Sequence, residues 1–94
     1  MPTLKVAHIQ EQGVDLIIVP LTPSFGQQPL AQQQRTIETL QMNATLAGLK
    51  GEVVPVWDVG GGKMGFVAPA NYHPYFRSIG LDLVFANLNQ EIYL

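Results

Sequence analysis

Ninety-four residues without a cysteine fit one domain and leave no disulfide or thiolate chemistry. Charged residues make up 13% of the chain, against a typical ~25%, and the net charge is −2. The five cations (Lys5, Arg35, Lys50, Lys63 and Arg77) are scattered singly, which argues against a nucleic-acid partner, because such binding draws on clustered cations that displace counterions from phosphates.

The opening residues, Met1 to Val6, lack a basic stretch followed by an apolar core, so no signal peptide is expected. Leu4 to Ile9 reads as a strand, with Leu4 and Val6 alternating against Lys5. Gln10-Glu11-Gln12-Gly13 is a polar break that suits a hairpin loop. Asp15 to Leu21 is the return strand, apolar on both sides: Leu16 and Ile18 one way, Ile17 and Val19 the other. Leu16 to Leu21 is also the longest apolar run, far below the ~20 residues of a membrane helix. The chain is therefore expected to be soluble and cytoplasmic, with no membrane contact.

Thr22 to Gly26 is a turn cluster. Pro29 then suits a first helical position, where its missing N–H is no loss. Leu30, Ile37, Leu40, Ala44 and Ala47 fall on one helical face, and Gln33 fills the gap in that stripe. Gly48 suits a left-handed cap with Leu49 folding back, so a helix is predicted over Pro29 to Ala47. Its many glutamines read as a solvated outer face, with a contact surface as the alternative.

Glu52 to Val59 is the third predicted strand. Pro55 inside it cannot donate a ladder hydrogen bond, which predicts an edge position or a bulge. Gly60 to Lys63 turns the chain, and Met64 to Ala68 is the fourth strand. Tyr72 to Ile79 suits a short helix. Leu81 to Leu94 fits either a strand (Leu81, Leu83, Phe85) or a helix (Leu81, Val84, Phe85, Leu88, Ile92), and helix is favoured.

Val6 to Leu21 and Val54 to Pro69 share one grammar: apolar run, glycine break, apolar run. The predicted fold is a single α+β domain over residues 1–94, a ββαββα pseudo-repeat. It has a four-stranded, mainly antiparallel sheet with both helices on one face. That arrangement leaves a sheet face bare, although the second and third strands carry apolar side chains on both sides. Exposed patches of that size are rare on monomers, so a homodimer or larger ring is expected. The alternative is a monomer whose C-terminal segment folds across the open face.

Little in the sequence speaks for chemistry. Gly60 to Val67 matches G-x-G-x-x-G-x-V, but no other kinase element accompanies it and a strand follows where a dinucleotide-binding loop needs a helix. It reads as a flexible hairpin tip. Trp57, Asp58, Tyr72, His73 and Tyr75 are the candidate ligand-binding residues, with His73 as acid/base and Asp58 orienting it. The plainer reading of these five is core packing, with His73 as a helix cap. His8 and His73 lie far apart with no neighbouring ligands, so no metal or cofactor is expected. Ser24 and Ser78 sit in no nucleophile motif. The function expected is a non-enzymatic binding or assembly module with a protein or small-molecule partner. A small enzyme or ligand-binding domain with its pocket near Trp57, Asp58 and His73 is the alternative.

Overall fold

The structure, a computed structural model, describes residues 3–11 and 13–93, with the main chain alone at Tyr93. Gln12 of the expected hairpin loop and Leu94 of the expected last element lie outside the described residues. The chain is α+β. Strands β1 (Thr3–Glu11) and β2 (Val14–Pro20) lead through a 3-10 turn (Pro23–Gln27) into helix α1 (Leu30–Leu46). Strands β3 (Glu52–Gly60) and β4 (Lys63–Phe66) follow, then a second 3-10 turn (Ala70–Tyr72), helices α2 (His73–Ser78) and α3 (Leu81–Ala86), and strand β5 (Gln90–Tyr93).

The five strands form one mixed sheet in the order β4-β3-β2-β1-β5. Three neighbouring pairs are antiparallel; β2 and β3 are parallel, with Ile18 opposite Val54. The expected four-stranded, mainly antiparallel sheet is thus corrected to a mixed sheet of five. The ββαββα repeat is corrected as well. Helix α1 carries the chain back so that β2 and β3 lie side by side and run the same way, which makes β1 run against β3. After β4 come two short helices and a fifth strand where the repeat expected a single helix, so the element order is ββαββααβ. The shared grammar corresponds to the two hairpins, β1–β2 and β3–β4.

Helices cover both faces, not one. Val6, Ile17, Val19, Val53 and Ile92 pack with Leu40 and Ala44 of α1. Their strand neighbours Ala7, Leu16, Ile18, Val54 and Val56 point the other way and pack with Phe76 of α2 and Val84 of α3. This explains the doubly apolar strands: Leu16, Ile17, Ile18 and Val19 are each no more than 1% exposed. Full burial of such a side chain is worth about 1.5–3 kcal/mol. The chain's own later residues provide it, so the bare face that argued for a second copy does not exist.

Pro55 lies in an interior strand rather than at an edge. Val56 offers its carbonyl toward the β2 side, accepting from Leu21 N–H at 2.8 Å, so Pro55 faces the β4 side. There β4 has already ended at Phe66, and the Pro55 carbonyl accepts the Val67 N–H at 3.2 Å. No donor is needed where the proline nitrogen sits. The irregularity in this strand comes later, between Asp58 and Gly60.

The long helix buries Leu40 and Ala44 of its expected stripe and leaves Leu30 and Ala47 exposed, while its C-terminal cap forms as expected. Gly48 has φ +81°, its N–H donates to Thr45 O at 3.0 Å, and Leu49 N–H donates to Ala44 O at 3.0 Å. These two bonds make a Schellman cap, and Leu49 packs against the α1-side core. The last segment divides: Leu81–Ala86 is helical, and Gln90–Tyr93 pairs with the start of β1. No helix among the described residues is long and apolar enough to cross a membrane.

Candidate functional site

The five side chains singled out in the sequence do not converge. Trp57 follows Val53 and Pro55 onto the α1 side of the sheet, where its ring lies 5.2 Å from that of Phe25, tilted at 59°. Two glycines make room for it. A Cβ on Gly26 of the 3-10 turn or on Gly65 of β4 would overlap the indole. Tyr72, His73 and Tyr75 lie on the opposite side, around α2. His73 Nε2 donates to the Ala68 carbonyl at 2.8 Å, and its ring meets Phe66 edge-on at 5.2 Å. Tyr75 packs edge-on against Phe76. Burial, with the Glu11 carboxylate adding to it, raises the Tyr75 phenol above its usual pKa of 10.0.

Asp58 is an exposed residue near the end of β3 whose Oδ1 accepts the Gly60 N–H at 2.7 Å. Its carboxylate and the His73 imidazole are therefore each engaged with main chain rather than with one another. The glycine tip also has a local explanation. Gly60, Gly61 and Gly62 all have positive φ (90°, 63° and 76°), which the tight return from β3 to β4 requires. His8 Nε2 likewise donates to a main-chain oxygen, that of Lys50, at 2.8 Å. No group of three or more metal-ligating side chains occurs among the described residues.

A concave feature lies elsewhere, at the carboxyl end of β2. It is an open cleft of about 570 Å³, within the range of about 300–1,000 Å³ that suits small ligands. Leu4 and Lys5 contribute from the start of β1, and Pro20, Leu21 and Thr22 from the end of β2. Ser24, Phe25 and Gln28 come from the following turn, Thr36 from α1, and Phe85 and Leu88 from the segment leading to β5. Apolar side chains form most of its wall, and Phe85 is 56% exposed, a large ring left in solvent.

The turn that forms one wall is held in place. Gln33 of α1 directs its Nε2 at three of its carbonyls: Phe25 (3.1 Å), Gly26 (3.4 Å) and Gln28 (3.2 Å). Thr22 and Ser24 hydroxyls bond each other at 2.8 Å. Gln28 Oε1 is buried with no hydrogen-bond partner among the described residues. Such an atom forgoes about 1–3 kcal/mol of solvation, which marks a wall not fully satisfied by the chain itself. Sequence reasoning missed this cleft because its residues come from four separate stretches of the chain. Phe85 gave no local sign of it, because the ring fits the strand alternation and the helix face of Leu81–Leu94 alike.

No family model, no curated protein and no solved structure matches this chain.

Proposed function

We propose that this chain is a non-enzymatic binding module that takes a small, largely apolar ligand in the cleft at the carboxyl end of β2. The observation that carries this reading is the cleft itself: ligand-sized, apolar-walled, with few polar groups and a turn fixed by Gln33. The separation of Asp58 from His73, each bonded to main chain, weighs against the enzyme alternative. The test is the binding of decanol, read by calorimetry, to the native chain and to Phe85→Asp. Saturable binding that the variant loses supports the module. Absence of binding to the native chain removes it.

Self-association is a second reading on a separate footing. Met42 and Leu46 point outward from α1 and are 63% and 78% exposed. Sedimentation equilibrium compares the native chain with Met42→Lys/Leu46→Lys. A monomer throughout the accessible concentration range ends this reading.

A further inference from the structure

We propose that the ligand of this cleft is an amphiphile with one anionic head, most simply a small carboxylate with an apolar body, and that Lys5 holds the head. This rests on the binding-module reading and assigns its ligand class. The walls set the body: Leu4, Leu21, Phe25 and Leu88 offer only carbon to whatever enters. The head follows from charge. Among the described residues, Lys5 is the one charged residue lining the cleft. It is exposed, and no hydrogen bond or ion pair with another described residue engages its ammonium.

Glu91 stands opposite Lys5 on β5 but does not line the cleft, and its Oε2 already accepts the Thr3 hydroxyl at 3.4 Å. The neutral groups suit an anion as well. One of the bonded Thr22 and Ser24 hydroxyls donates to the other, so one hydroxyl proton of the pair stays available to an acceptor. The cleft thus offers an entering carboxylate a cation and a hydroxyl donor, with no acid among the described residues that line it. A cationic head meets only like charge.

The test is calorimetry on the full chain with decanoate, decanol and decyltrimethylammonium as probes. Decanoate binds tightest and the ammonium weakest. Lys5→Gln weakens decanoate about two- to fivefold, the range of a solvent-exposed charge contact, and leaves decanol unchanged. Lys5→Arg restores decanoate binding, and Glu91→Gln strengthens it. Equal affinity for decanol and decanoate, or Lys5→Gln without effect, overturns the head-group assignment while the cleft stands. Failure of decanol and decanoate alike overturns both. Binding to phosphatidylglycerol vesicles without binding of free decanoate also overturns the assignment, the target then being a lipid surface.

Discussion

Asn89 stands in for a strand partner of His8. Its Oδ1 accepts the His8 N–H at 2.8 Å and its Nδ2 donates to the His8 carbonyl at 3.0 Å. β5 pairs with β1 only as far as Val6 and Gln90. The side chain thus closes the ladder where the strand runs out, and occupies edge groups that would otherwise be open to another chain. Asn89→Ala removes both bonds. At about 0.5–1.5 kcal/mol each, it lowers unfolding free energy by roughly 1–3 kcal/mol in urea titrations. It also speeds hydrogen exchange at the His8 amide. Unchanged exchange at His8 contradicts this role.

The glutamines of α1 divide into two kinds. Gln41 joins the helix to the start of β3: its Oε1 accepts the Val53 N–H at 2.9 Å and its Nε2 donates to Gly51 O at 3.0 Å. Gln33 braces the 3-10 turn. Gln32 and Gln34 are exposed. Gln41→Ala and Gln33→Ala each destabilise by about 1–3 kcal/mol, because partner groups are left unsatisfied. Gln32→Ala and Gln34→Ala stay within about 0.5 kcal/mol of the native chain. Thermal or urea melts of the four variants check the contrast. Equal effects across all four contradict it.

Trp57 reports on its own slot. Gly65→Ala places a methyl group into the indole, and overpacking of this kind costs about 1–3 kcal/mol. The indole is the chain's one tryptophan, so its emission shifts to the red as the ring is pushed toward water. Emission and stability both unchanged would show that the ring does not rest on Gly65.

Tyr75 makes the fold sensitive to alkali. Its phenol has a raised pKa in the folded chain, from burial first and the Glu11 carboxylate second. Between the unfolded value of 10.0 and the higher folded value, the native state holds more protons than the unfolded one. The stabilising contribution is therefore fully present below pH 10.0 and is lost as pH rises through the folded pKa. Tyr75→Phe flattens that part of the alkaline decline, and Glu11→Gln reduces it. Urea melts at stepped alkaline pH check the slope; an identical slope in Tyr75→Phe contradicts the assignment.

What was legible in the sequence follows how local each signal is. Helix α1 was readable to within a residue at both ends, because Pro29, the Leu40–Ala44 pair and the Gly48-Leu49 cap all lie in it or directly beside it. The doubly apolar β2 was equally plain, yet its cause was not. Whether α2 and α3 lie beside α1 or across the sheet from it depends on the direction of β3, which no residue in β3 states. β5 was missed because a strand of four residues, with Ile92 the one buried side chain among those described, carries no alternation to detect. The candidate site was illegible for the same reason as the sheet order. Trp57 and His73 look close in pattern, but alternation and the placement of α2 set them on opposite sides.

Ligand binding in the cleft at the carboxyl end of β2, as proposed, is checked residue by residue by amide chemical-shift mapping during a decanol titration. Shifts are expected at Leu21, Thr22, Ser24, Phe25 and Phe85, with Tyr72, His73 and Tyr75 unmoved. Shifts centred on the α2 aromatics, or none at the end of β2, would contradict it.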